Sequence, residues 1–276
     1  MTVPIQAAIE RLIDARSSRR LVAPLSETYG EFSLAHAYDI QDALASEFAR
    51  RGERAIGWKL AATAPSGQAI MGVKEPAFGF LPSNQYSSGA EVSAGDFADL
   101  RVEAEVAFKM RTELAGPGVT AAGALSAVED VLPAFELLDF IYSGTPRAGD
   151  YIANSIHGQA VVLGPPIALQ GLDLASEGVD VEHNGEIVGT YTTAEVMGNP
   201  LNALAWLANQ LTSRGQSLKR GDIVISGGIS KLLRPKVGDS ILARFASWLC
   251  RHQGRVVTFG TASGYPPKLT VKADVL

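Results

Sequence analysis

Glu103 and Glu105 stand two apart in the apolar run Leu100-Arg101-Val102-Glu103-Ala104-Glu105-Val106-Ala107-Phe108. Glu136 interrupts a second such run, Val131-Leu132-Pro133-Ala134-Phe135-Glu136-Leu137-Leu138. If both runs are strands, side chains two apart share a face, so Glu103 and Glu105 point the same way. Acids inside hydrophobic strands are costly unless they are paired or bind a cation. Three carboxylates make an oxygen-rich site for Mg²⁺ or Mn²⁺, with coordination positions left for water and substrate. An isolated Glu-x-Glu usually marks only a solvated alternating face. The second acid-bearing run, about one supersecondary unit later, brings the metal reading level with that one.

The elements that must carry these acids follow from periodicity. The first 55 or so residues read as helical: Ile5, Ile9, Leu12 and Ile13 form one stripe, and Ser33 caps a second helix carrying Ile40, Leu44 and Phe48 toward Gly52. Ser17 to Arg20 and Pro24 form the connector between them. From Ala55 the texture changes to short apolar runs separated by Gly, Pro, Asn and Asp. Gly57-Trp58-Lys59-Leu60 reads as a strand end, followed by a turn or short helix from Pro65 to Met71. Asn184-Gly185 between alternating segments predicts a tight hairpin over 179–188. Asn199 and Pro200 predict the start of a helix through Leu201, Leu204, Leu207, Ala208 and Leu211 to Gly215. Asp222 to Ser226 and Arg255 to Phe259 read as strands. Helices first and many strands afterwards argue an α+β chain. We divide it into a helical region over 1–78 and a β-rich catalytic domain over 79–276.

Composition excludes several classes. Of 276 residues, 46% are hydrophobic and 19% charged, which suits a buried core rather than disorder. A net charge of −5 gives no basic footprint for nucleic acid. A single cysteine, Cys250, rules out an intrachain disulfide and reads as a small apolar filler. No apolar run approaches a membrane span, and the N-terminus lacks a secretory pattern, so a cytoplasmic protein that engages no membrane is expected.

Taken in order and spacing, a set of stretches resembles the 2-keto-4-pentenoate hydratase and 4-oxalocrotonate decarboxylase family of the fumarylacetoacetate hydrolase superfamily. They are Gly57 to Thr63, Met71-Gly72-Val73, Phe78-Gly79, Val102 to Phe108, Pro133 to Asp139, Ala194 to Leu201 and Ala205 to Asn209. The likeness spans roughly Ile40 to Phe259. It implies a mixed β-roll or sandwich core with a small helical N-terminal part, and Mg²⁺ or Mn²⁺ held by Glu103, Glu105 and Glu136. It implies a small 2-oxo or 2-hydroxydienoic acid substrate, chelated through its carboxylate and adjacent carbonyl, and a homo-oligomer. Stabilising the enolate of such an acid serves water addition, decarboxylation, retro-aldol cleavage and C–C hydrolysis alike. The leading expectation is a hydratase making a 4-hydroxy-2-oxo acid in aromatic catabolism. A 4-oxalocrotonate-type decarboxylase, an acylpyruvate hydrolase and a non-catalytic partner subunit are the alternatives.

Lys59 matches the family's lysine and is expected to contact the substrate carboxylate or shuttle a proton. Its plain reading is an exposed strand-end lysine. Thr63 either donates to substrate or ends the strand. Four departures stand out. Ala77 replaces an acidic residue before Phe78-Gly79. The family's Asp-Asn-Ala-Ser-Ser segment is here Asn154-Ser155-Ile156-His157-Gly158. Its glycine-rich loop is Thr190-Tyr191-Thr192-Thr193, and Asn199 stands where many relatives have histidine. Ser155 is accordingly expected to bind substrate, and His157, titratable near neutrality, to act as acid or base. His36, His183 and His252 read as surface or remote residues. Tyr191 and Arg147 are further candidates for the site wall. Gly227-Gly228 reads as a turn rather than a close approach to ligand.

Overall fold

The computed structural model describes residues 3–167, 169, 171–246, 255–256, 269–270 and 273–274. Helices α1 (Ile5–Ser18), α2 (Leu25–Tyr29) and α3 (Leu34–Arg50) open the chain. The expected stripe is the buried face of α1, through Ile9, Leu12 and Ile13, and Ser33 Oγ caps α3 by accepting from His36 N–H. Next come β1 (Gly57–Ala61), α4 (Pro65–Met71), β2 (Ala77–Leu81), β3 (Gln85–Ser87) and the two-residue β4 (Glu91–Val92). The long strands β5 (Leu100–Met110) and β6 (Val128–Asp139) flank α5 (Ala121–Ser126), and α6 (Ala148–Ala153) leads into β7 (Gly158–Leu163). A hairpin of β8 (Gly178–His183) and β9 (Glu186–Thr192) turns at Asn184-Gly185, both with positive φ, as a type I′ turn requires. Helix α7 (Pro200–Ser213) follows, with Asn199 Oδ1 accepting from Leu201 N–H, then β10 (Ile223–Ile225) and β11 (Ile241–Phe245). Short β12 (Arg255–Val256) pairs with β14 (Ala273–Asp274), and β13 (Leu269–Thr270) with β4. Cys250, His252 and the rest of the expected strand over 257–259 lie outside the described residues.

Seven strands form a mixed sheet in the order β2-β1-β10-β5-β6-β7-β3, with β1–β10 and β3–β7 parallel. A second, antiparallel sheet runs β11-β8-β9. The division expected at residue 78 cuts through the main sheet, because β1 lies between β2 and β10. Its partner β10 is remote in sequence, which local patterning cannot reveal, so the helical part proper is 5–50. One face of β5, through Val102, Ala104, Val106 and Phe108, packs into the large core with Leu204, Leu207 and Leu211 of α7. The opposite face carries a smaller cluster that includes Ala107, Ala134, Val161 and Ile225. The site is built on that second face.

Candidate active site

Register decides the site. In the antiparallel β5–β6 ladder Glu103 lies directly opposite Glu136, and Glu105 is two residues along on the same face. One carboxylate oxygen from each comes within 4.8 Å of the others, so the three acids seen in sequence converge. Glu105 and Glu136 are fully buried, and Glu103 is partly open to a cavity of about 640 Å³. Burial and the neighbouring Glu136 push the Glu103 carboxyl up to about 7. The same causes raise Glu105 well above the usual carboxylate range. Glu136 is raised by burial, and Lys59 opposes that shift. Three crowded, desolvated acids with so little compensation form a site short of positive charge.

Lys59 reaches this cluster because β1 aligns with it through β10: Lys59 pairs with Ile225, and Ile225 with Ala107. Far from being an exposed strand end, it is one of the largest fully buried side chains. Nζ lies 2.7 Å from Glu136 Oε1 and donates to the Ile156 carbonyl at 3.1 Å. Gly158 makes room for it, since a Cβ there would sit 3.1 Å from Lys59 Cδ and 3.3 Å from Glu136 Oε1.

Gly227-Gly228 corrects the turn expected there. The chain continues alongside β5, with Ser226 N–H bonded to Val106 O and Ile229 N–H to Ala104 O. Between them Gly227 N–H donates to Glu105 Oε2 at 2.7 Å. A Cβ on Gly228 would come within 2.8 Å of Glu103 Oε2, and one on Gly227 within 2.5 Å of Thr63 Oγ1, so the two glycines admit Glu103 and Thr63.

Lys59, Thr63, Glu103, His157 and Tyr191 line the cavity together, with apolar walls from Ile70, Met71, Leu138, Phe140, Ile156 and Ile229. Thr63 is buried at this wall. Ser155, expected to bind substrate, is not among the lining residues. Its backbone is left-handed (φ 48°), and its Oγ is committed to the Phe80 carbonyl at 2.8 Å. His157, two residues on in the same left-handed turn, does line the cavity and is fully buried. Burial, with Arg16 and Lys59 nearby, pushes its imidazole down to about 3, so the ring is neutral at physiological pH. Arg147 is exposed, pairs with Glu31 and lies off the cavity. Ala77 is buried in β2 opposite Ala61, also off the cavity. His36 bonds the Val3 carbonyl, and His183 pairs with Asp239 at 2.8 Å; both are remote from the acids.

Sequence reading missed several parts. Phe140 and Tyr151 shape the wall around His157 without any motif to announce them. Arg16 of α1 is buried and donates to Asn154 Oδ1, Asn154 O, Gly158 O and Gln159 Oε1, fixing the segment that holds His157. An arginine inside an otherwise apolar helical stripe was the available signal.

No protein-family model matches the chain. A 2-hydroxyhexa-2,4-dienoate hydratase of Comamonas testosteroni is 35% identical over 240 residues, covering 85% of this chain and 91% of that protein. The chain belongs to the 2-keto-4-pentenoate hydratase and 4-oxalocrotonate decarboxylase family. A 2-keto-4-pentenoate hydratase of Paraburkholderia phymatum (33%) and a 4-oxalocrotonate decarboxylase of Pseudomonas putida (30%) each cover 87% of the chain and are themselves covered to 92%. Among solved structures, 4-oxalocrotonate decarboxylase from Pseudomonas putida G7, complexed with magnesium and adipate, superposes with a TM-score of 0.86 at 25% identity. That match covers 98% of this chain and 97% of the decarboxylase. A fumarylpyruvate hydrolase from Pseudomonas aeruginosa shares the α+β fold (TM-score 0.53, 10% identity, 79% and 89% covered). Among the described residues no helix is long and apolar enough to cross a membrane.

Proposed function

We propose that this family member is a divalent-metal-dependent hydratase that adds water to a 2-hydroxy-2,4-dienoate, giving a 4-hydroxy-2-oxo acid during aromatic catabolism. The observation that carries the reading is the convergence of Glu103, Glu105 and Glu136 beside Lys59 at one cavity. The donor set fits a hard cation, being carboxylate oxygen throughout. Glu105 Oε1 and Glu136 Oε2 have no hydrogen-bond partner among the described residues, and a cation held there would satisfy both. Mg²⁺ or Mn²⁺ bound there would chelate the 2-oxo acid and draw electrons from its carbonyl.

The chain's own groups then have distinct tasks. Lys59, anchored to Glu136 and the Ile156 carbonyl, offers its one remaining N–H to the substrate carboxylate or hands that proton to the adjoining carbon chain. Thr63 supplies a hydroxyl donor on the same wall. Ile70, Met71, Leu138 and Ile229 keep bulk water from the bound diene. The hydratase relatives at 33–35% identity support water addition.

A second reading, decarboxylation of a 4-oxalocrotonate-like diacid, is favoured by the decarboxylase structure that superposes over nearly the whole chain. Mass spectrometry with Mg²⁺ and 2-hydroxypenta-2,4-dienoate separates the two. Gain of one water supports hydration. No change with the dienoate, together with CO₂ release from the diacid, overturns it.

A further inference from the structure

His157 has a fixed tautomer and an unused lone pair. Its Nδ1 lies 3.0 Å from the Asp139 carbonyl oxygen, which can only accept, so Nδ1 carries the proton and donates. Asn154 Nδ2, 3.3 Å from Nδ1, is a second donor and makes no bond to that proton. Nε2 is therefore the acceptor, and it has no hydrogen-bond partner among the described residues although it is buried. The ring cannot easily turn to find one. Phe140 stacks on it at 4.3 Å with 15° between planes, and Tyr142 and Tyr151 meet it edge-on at 5.5 and 5.3 Å. A buried acceptor left without a donor is costly, and its residue is one of those lining the cavity.

Leu138, Phe140 and Ile156 offer no cation, Lys59 on the same wall is committed to Glu136 and the Ile156 carbonyl, and a lone pair repels a carboxylate. The natural occupant is a neutral O–H donor. Among the cavity's other polar groups, the acids are committed to the proposed metal, the hydroxyls donate as well as accept, and Glu195 is exposed. The His157 ring, its one N–H already given to the Asp139 carbonyl, is left with an acceptor and no donor. Held through one O–H, a water keeps an oxygen lone pair free for carbon.

Building on the hydration reading, we infer that His157 is a catalytic residue that positions the adding water through Nε2. The water oxygen bonds to C4, and the C3–C4 π pair moves toward the 2-oxo group as an enolate. The proton the water loses is matched by the one gained at C3, so the net change is one added water. A ring held neutral by burial does not store that proton.

The test separates two steps in the full-length protein with Mg²⁺ and 2-hydroxypenta-2,4-dienoate: loss of the dienol to the unsaturated 2-oxo acid, and hydration of that acid. Misplacing a reactant by about 1 Å costs on the order of 100-fold, so His157→Leu is expected to slow hydration about 100-fold. Ketonisation should stay within about 3-fold, since the inference gives His157 no part in moving the dienol proton. The unhydrated enone then accumulates. His157→Gln, which returns an acceptor oxygen, is expected to recover at least about tenfold of the lost hydration rate. Equal loss of both steps, no loss of either, or a Gln variant as slow as Leu overturns the inference. If His157→Leu does not fold, His157→Phe against His157→Gln makes the same comparison. A wild-type protein that does not hydrate the dienoate at all overturns the functional reading instead.

Discussion

Replacing Lys59 with methionine removes the only cation bonded to the three acids among the described residues while keeping a long apolar side chain in its place. Glu136 is then buried beside Glu103 and Glu105 with no counter-charge. The least costly response is for Glu136 to take up a proton. Its ordinary value is 4.5, and neutralising it at pH 7 costs 2.5 units at about 1.4 kcal/mol each, at most roughly 3.4 kcal/mol, since burial already raises it in the wild type. That agrees with the 3–5 kcal/mol typical of breaking a buried pair by removing one partner. For a chain of this size it lowers the melting temperature by roughly 6–14 °C.

The sign of the pH dependence follows. In Lys59→Met the folded protein binds a proton that the unfolded chain releases above pH 4.5. The deficit is therefore small near that pH and grows as pH rises, reaching about half its pH 7 size near pH 5.8. Saturating Mg²⁺ supplies the missing charge and is expected to close most of the gap. Thermal melts of both proteins, without metal at pH 5, 6 and 7 and with Mg²⁺ at pH 7, read all three effects. A metal-free variant melting within 2 °C of wild type at pH 7 refutes the idea that Lys59 compensates these acids.

A Cβ on Gly228 would press the flexible Glu103 carboxylate, so Gly228→Ala is expected to cost little stability but weaken Mn²⁺ binding at least about tenfold by calorimetry. Equal affinity would show that Glu103 is no ligand. Glu103 titrates near 7 in the metal-free protein, so protons compete with the ion below that pH. Mn²⁺ affinity is expected to be at least about tenfold weaker at pH 6 than at pH 8, because the raised Glu105 carboxyl adds to the competition, and a flat profile contradicts this. Arg16→Met leaves four acceptor interactions over 154–159, three of them buried, without their donor and is expected to cost at least about 3 kcal/mol in urea unfolding. A loss under about 0.5 kcal/mol would mean that water replaces the guanidinium.

What was legible in the chain was local. The shared face of Glu103 and Glu105 follows from strand geometry alone, and Ser33, Asn199 and Asn184-Gly185 mark element ends by backbone chemistry that acts within a few residues. The register that sets Glu103 opposite Glu136 is tertiary, as is the β1–β10 pairing that brings Lys59 beside them. Gly227-Gly228 misled because a glycine pair serves turns and close approaches equally well, and only the neighbouring carboxylates distinguish them. Ser155 and His157 sit two residues apart, and the left-handed turn at Ser155, Ile156 and His157 gives one to the fold and the other to the cavity. Nothing in a pattern of residue types encodes that turn.

The central claim is that Glu103, Glu105 and Glu136 hold one divalent ion. A crystal soaked with Mn²⁺ and oxalate, measured by anomalous diffraction, tests it most directly. The account predicts a single strong peak roughly 2.1 Å from one carboxylate oxygen of each acid, with oxalate completing the coordination. A peak elsewhere, or none at these residues at saturating Mn²⁺, would contradict it.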